Sequence, residues 1–512
     1  RNIDPAHGDV STMPPPSAPG TREQDNRIST GVAGLDRILG GGLRSERLYL
    51  VHGAAGTGKT TLGFQFLMAG RERGEKTLYV TLLQDRDELE DMARSHRWSL
   101  DGIEIMELPQ EVREGRLSEQ TVFSPADVDL PEAVDAIIES VDLHNPRRIV
   151  IDSISELGIL VDAWPQMRRQ ILRLKSKLSA RRCTALLNAG SKTDHLPALL
   201  TLVHGDISLF VDTPDYGNPR RKIAVPKMRA MDYLGGVHDA CIREGGLEVF
   251  PRLRIGTRRG ELGKEVVASG EPELDKLLGG GLEEGTSCLI AGSTGVGKST
   301  LASLYLGTAA ERGERSVAFF FDERMETFLH RSNALGLPVG EHVRSGMIDL
   351  QQINAGELSA GAFVHRVVRG VEEDGARIVV IDSLTGYLNA MPQEALLVTQ
   401  LHELLNYLGN RGVLTIMLLT THGLFGHESG CIDASYVADT VILARHFEAA
   451  GALRQCLSVV KKRTGRHEKT IRELEVGPRG VRVGPPLKDF TGVLTGIPNY
   501  EGNRGTLLSE EA

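Results

Sequence analysis

Two lysines, Lys59 and Lys298, each close a glycine-rich run that could hold phosphate. The first run is Gly53-Ala-Ala-Gly56-Thr57-Gly58-Lys59-Thr60, and the second is Gly292-Ser-Thr294-Gly295-Val296-Gly297-Lys298-Ser299, 239 residues further on. Both fit G-x-x-x-x-G-K-[ST]. In that pattern backbone N–H groups cradle phosphates, the lysine reaches the β/γ-phosphates and the hydroxyl ligates Mg²⁺. Thr61 and Thr300 complete the two candidate ATP-binding sets. The expected cofactors are ATP and Mg²⁺, with Thr60 and Ser299 as metal ligands. A single match is often no more than a glycine-rich turn. Two matches inside a longer repeat indicate a duplicated ATP-binding unit.

Acidic residues follow in both halves. Asp152 ends the apolar run Arg148-Ile-Val-Ile-Asp152, and Asp382 ends Arg377-Ile-Val-Val-Ile-Asp382. A strand-end aspartate near a phosphate loop suits an Mg²⁺ partner; it also suits a helix N-cap. The recurrence in both halves favours the metal role for Asp152 and Asp382. The halves differ at one further strand end. In the second, Asp322-Glu323 offers two carboxylates that could take a proton, and these are the candidate catalytic residues. At the matching positions the first half has Leu83 and Gln84, with Asp85 one step later. Leu cannot take a proton and Gln can only orient a water, so the first site is expected to bind ATP and turn it over slowly or not at all. Each half also ends with cations at strand spacing, Lys227/Arg229 and Lys461/Arg463. They read either as a solvated charged edge or as cations given to the γ-phosphate of a neighbouring subunit.

These residues need a sheet to position them. Apolar runs alternate with helical patterns in both halves, which indicates α/β domains with a mainly parallel sheet flanked by helices. In such sheets ligands sit at the carboxyl ends of strands, where both loops fall. The repeat reaches beyond the loops: Leu35-Asp36 with Gly40-Gly41-Gly42 matches Leu274-Asp275 with Gly279-Gly280-Gly281 at the same offset. The expected layout is a Pro-rich disordered leader at 1–26, a first ATPase domain at 27–254, a second at 255–484 and a tail at 485–512. With 512 residues, 40% hydrophobic and 25% charged, the chain is ordinary globular material too long for one core. The net charge of −9 argues against a nucleic-acid binder. No apolar stretch approaches the ~18 residues of a membrane span, and no signal-peptide pattern opens the chain. Five scattered cysteines without a C-x-x-C pair read as reduced thiols. A cytoplasmic protein is expected.

On these residues the chain resembles the KaiC family, duplicated RecA-like ATPases of the circadian clock. The resemblance covers about residues 27–484 and includes both loops, both strand-end aspartates and Arg466-His-Glu-Lys-Thr-Ile-Arg472. It implies two tandem RecA-like P-loop NTPase domains and a double-ring homohexamer with ATP at subunit interfaces. It also implies that Lys227, Arg229, Lys461 and Arg463 act on a neighbour's nucleotide. The family's second ring phosphorylates itself on an adjacent Ser-Thr pair; Ser435 falls on the serine and Tyr436 stands at the threonine position. The implied function is an ATPase with serine/threonine autokinase activity in the second domain, working with clock or signalling partner proteins. An ATP-gated hexameric signalling scaffold with little catalysis is a competing reading. A RecA-like DNA-handling ATPase is another, which the acidic balance disfavours.

Overall fold

The computed structural model describes residues 26–108, 125–159, 164–191, 195–214, 217–254, 265–354, 356–389, 396–421, 436–449, 451–493 and 499–500. The chain folds as two compact units, each centred on a nine-stranded sheet. In the first sheet the strands are β1 (Leu48–Gly53), β2 (Thr77–Thr81), β3 (Glu104–Glu107), β4 (Arg148–Asp152), β5 (Thr184–Gly190), β6 (Gly205–Asp212), β7 (Arg220–Met228), β8 (Val237–Arg243) and β9 (Gly246–Phe250). Their spatial order is β3-β2-β4-β5-β1-β6-β7-β8-β9, and the six strands from β3 to β6 are parallel. The second sheet contains β10 (Ser287–Gly292), β11 (Ser316–Phe320), β12 (Ile348–Gln352), β13 (Ile378–Asp382), β14 (Leu414–Thr420), β15 (Thr440–Ala449), β16 (Ala452–Lys462), β17 (Arg472–Gly477) and β18 (Gly480–Pro486). Its order, β12-β11-β13-β14-β10-β15-β16-β17-β18, repeats the first strand for strand. The strands from β12 to β15 are parallel; β16 to β18 continue antiparallel.

The parallel strands are aliphatic runs because helices cover both of their faces. Leu50, Val80, Ile149, Ile151 and Leu187 of the first sheet are buried, as are Ile290, Phe319, Val379, Ile381 and Met417 of the second. Helix α1 (Lys59–Arg71) leaves the first loop, α2 (Arg86–Ser95) follows β2, and α3 (Leu196–Leu202) precedes β6. Their second-unit counterparts for the loop and β11 are α4 (Lys298–Glu311) and α5 (Met325–Ala334). Residues 485–493 pack back on the second unit, with the Phe490 ring 5.6 Å from that of Phe447. Residues 1–25 and most of the tail lie outside the described residues.

The repeated Leu-Asp…Gly-Gly-Gly motif is a structural clasp rather than chemistry. Asp36 accepts hydrogen bonds from Thr30 N (2.8 Å), Thr30 Oγ1 (2.7 Å) and Ser29 Oγ (2.6 Å), and Asp275 accepts one from Ser269 N (2.8 Å). The glycines turn the chain through φ values of 66°, 121° and 114° in one copy and 75°, 122° and 137° in the other. A Cβ on Gly281 would also meet the Val267 carbonyl oxygen at 2.6 Å, whereas one on Gly280 would meet nothing within 4 Å. Gly281→Ala should therefore cost about 3 kcal/mol or more and Gly280→Ala only about 1–2 kcal/mol, read as shifts in urea unfolding midpoint.

Candidate active site

Each phosphate loop joins the carboxyl end of a central strand to a long helix. The loops enter α1 and α4 through Gly58 (φ 103°) and Gly297 (φ 94°), neither helix having a side-chain cap. The first-turn N–H groups therefore have no internal acceptor, which suits an anion. Lys59 Nζ donates to the carbonyls of Gly53 (3.0 Å) and Ala54 (2.9 Å), and Lys298 Nζ to those of Gly292 and Ser293 (2.9 Å each). Burial lowers both ammonium pKa values; that of Lys298 falls to about 8, with Asp382 opposing the shift. Thr57 and Val296 are buried, Thr57 bonding the Ala54 carbonyl and Val296 joining the core. Thr61 and Thr300 are buried too. These four can offer a phosphate their backbone N–H groups. Gly56, Thr294 and Gly295 stand exposed at the loop tips.

Parallel register brings both strand-end aspartates to the loop hydroxyls. Thr81 lies beside Asp152 in one sheet and Phe320 beside Asp382 in the other. The two carboxylates nevertheless have different surroundings. Asp152 Oδ2 accepts from Thr60 Oγ1 and from Tyr79 OH, each at 2.6 Å. Asp382 is 8% exposed, and its Oδ2 is buried without a hydrogen-bond donor. Burial pushes the Asp382 pKa up to about 6 and Glu323 adds to the rise, against the hydroxyl of Ser299 and the charges of Arg331 and Lys298. An unsatisfied buried carboxylate oxygen beside a hydroxyl and a lysine fits a divalent cation.

The strand ends that carry the candidate base differ as their sequences do. Glu323 accepts both guanidinium N–H groups of Arg331 on α5, at 2.7 and 2.9 Å. Asp322 accepts from Ser383 Oγ at 2.6 Å. In the first unit Leu83 is 61% exposed, and Gln84 O accepts from Thr81 Oγ1. Asp85 is the N-cap of α2, accepting from Glu88 N at 2.9 Å. That bond gives Asp85 a structural task.

The paired cations lie at the other edge of their sheets. Arg229 N bonds His204 O, one residue before β6 begins, and Lys461 lies opposite Val441 near the start of β15. With about 3.3 Å per residue, the six residues of β1 put roughly 16 Å between that edge and the first loop. Lys227 Nζ donates to Leu200 O (2.5 Å) and Arg229 Nη2 to Thr201 O (3.0 Å) at the end of α3. Lys461 Nζ donates to Ala438 O (2.7 Å) and Arg463 Nη2 to Tyr436 O (2.9 Å). Arg47, Lys175, His204 and Arg229 line a cavity of about 240 Å³ at this edge. Burial, and then the charges of their cationic neighbours, lower the pKa values of Lys175 and His204. Tyr436 is 56% exposed; Ser435 lies outside the described residues.

Two residues escaped the sequence reading, Tyr79 and Arg331. The repeat offset was the available signal for Tyr79, since it sets a buried hydroxyl against Ala318 in the other copy. Arg331 lies eight residues beyond Glu323 across a helix start, and no local pattern links the two. Among the described residues no helix is long and apolar enough to cross a membrane.

A family model described as "ATPase: KaiC" matches residues 28–254 and again 267–488. The chain is 26% identical over 494 residues to the circadian clock oscillator protein KaiC of Picosynechococcus sp., with 92% of each chain covered. It is 25% identical over 489 residues to the circadian clock protein KaiC3 of Synechocystis sp., covering 93% of this chain and 95% of that one. With the circadian clock oscillator protein KaiC of Synechococcus elongatus it shares 26% identity over 497 residues and 92% of each chain.

The raised pKa of Asp382 carries a sign. A carboxyl that holds its proton more tightly when folded contributes stability below the unfolded value near pH 4, and loses it as pH rises through about 6. Asp382→Asn should remove that loss and stabilise the nucleotide-free second unit at pH 8 by about 1–3 kcal/mol. Calorimetry at pH 5 and pH 8 should show the full gain at pH 8 and about half of it at pH 5, midway through the window between the two pKa values.

Proposed function

The chain belongs to the KaiC ATPase family, and from that premise we propose that its two ATP sites divide the work. The second hydrolyses ATP and transfers phosphate to Ser435; the first holds nucleotide and keeps an assembly together. The contrast at the strand ends carries this reading, with Asp322 and Glu323 in one unit and Leu83 and Gln84 in the other.

Lys298 neutralises phosphate charge, and Ser299 with Asp382 holds Mg²⁺; the buried, donorless Asp382 Oδ2 supports that ligand set. When bound, Mg²⁺ supplies positive charge against the β/γ-phosphate oxygens. Glu323, with Asp322 beside it, takes the proton of the attacking water or of the Ser435 hydroxyl. Glu323 must leave Arg331 to do so. The pair is bidentate and part-exposed, 38% for Arg331 and 20% for Glu323; such geometry holds more firmly than an ordinary surface pair, so the bound nucleotide must help to open it. Thr60 and Asp152 hold Mg²⁺ in the first site beside Lys59, with Leu83 and Gln84 where the second site has its acid pair.

The sheet edges favour assembly. Lys227, Arg229, Lys461 and Arg463 sit at the edge away from their own loops, so the phosphate they serve belongs to another subunit. A homohexameric double ring meets that need. Such a ring would work in the cytoplasm with clock or signalling partners. The competing scaffold reading draws support from the Glu323–Arg331 clamp, which holds the base while it stays closed.

Replacing Glu323 by Gln should lower ATP turnover about 10²-fold, whereas Gln84→Ala should change it less than about twofold. Negligible turnover in the unaltered protein, with nucleotide-dependent assembly intact, would favour the scaffold. With γ-labelled ATP, peptide mass spectrometry should find phosphate on Ser435. Label absent from the protein, with Ser435→Ala changing nothing, would remove the kinase half. The double variant Lys461→Ala/Arg463→Ala should still bind ATP but lose turnover. Mixing it with Glu323→Gln subunits should restore part of that turnover, because mixed rings contain intact interfaces.

A further inference from the structure

Resting on the reading that the first site binds Mg²⁺ with ATP, we propose that Tyr79 is a positioning residue that weakens the metal's hold there by occupying Asp152. Tyr79 is a fully buried residue of β2. Its hydroxyl donates to Asp152 Oδ2 at 2.6 Å, and Thr60 Oγ1 donates to the same atom at 2.6 Å. A carboxylate oxygen has two lone pairs, and at Oδ2 both are taken. The Thr60 bond is compatible with metal ligation, since that hydroxyl can donate to Asp152 while its oxygen faces a cation. The Tyr79 bond occupies a lone pair that a cation, or a water on it, would otherwise use.

The phenol cannot easily swing aside. Its ring stacks on Phe64 of α1, with centroids 4.3 Å apart and planes 10° from parallel. Both aromatics are absent from the second unit. The 239-residue offset aligns Phe64 with Ser303 and Tyr79 with Ala318. Ser303 Oγ instead donates to Ser299 O at 2.8 Å, and Asp382 Oδ2 is left buried without a donor. The second site therefore has a buried strand-end carboxylate oxygen without a donor, while the first has the corresponding Oδ2 bonded twice by its own fold. The first site grips phosphate through Lys59 and the loop but holds its metal loosely. This adds to the missing base as a cause of slow turnover.

Mn²⁺ binding, followed by electron paramagnetic resonance, tests the proposal without turnover. The full chain would carry Lys298→Ala to silence the second loop, and a non-hydrolysable ATP analogue would fill the first. Tyr79→Phe keeps the ring and its stack, and should tighten Mn²⁺ binding about tenfold or more, the scale of one hydrogen bond to a charged group. In an Asp152→Asn background the same change should have no effect, because the phenol acts through that carboxylate. Unchanged or weaker Mn²⁺ binding in Tyr79→Phe overturns the proposal, as does an equal gain in the Asp152→Asn background. Failure of the unaltered first site to bind the analogue at all would overturn the reading beneath it as well.

Discussion

A parallel sheet has two unlike edges, and that polarity organises the chemistry of this protein. All strands from β3 to β6, and from β12 to β15, end on the same side. The phosphate loops, strand-end aspartates and acidic pair collect there because each follows the carboxyl end of a strand. The antiparallel return of β16 carries Lys461 and Arg463 back to the amino edge. A subunit therefore keeps its anion-gripping groups and these cations apart. The proposed sharing of a nucleotide between subunits rests on this separation more than on any one contact.

Within that frame, the two sites are told apart by the way each treats a buried carboxylate. An ionised carboxylate costs free energy inside a protein unless donors or a cation meet it. The first unit meets the need internally, with Thr60 and Tyr79 on one oxygen of Asp152. The second leaves Asp382 under-provided, and its pKa rises to about 6 as a result. An unmet need in the nucleotide-free fold is binding energy kept for a ligand. The same logic covers Glu323, whose charge is met by both terminal nitrogens of Arg331 in a part-exposed pair.

Much of the frame was legible from local pattern. Loop spacing, apolar strand runs and the constant offset identified two α/β units and the position of each loop. The family match over 28–254 and 267–488 agrees with the resemblance drawn from those motifs. Asp85 was less legible. One step past the missing acid pair, it could replace that pair only if the loop shifted, and in the fold it caps α2. Distinguishing a capping aspartate from a reactive one requires knowing where the following helix begins.

By itself, the sequence determined the duplicated phosphate-binding unit, the sheet that carries it and the absence of an acid pair from the first copy. Those features depend on residue type at short spacing, where chain geometry leaves little choice. Only the tertiary structure decided which partners each charged group has. Tyr79 reaches Asp152 across 73 positions, Arg331 meets Glu323 from a separate helix, and the paired cations lie at the edge away from their own loops. These are long-range juxtapositions set by strand register and packing, and no local spacing encodes them.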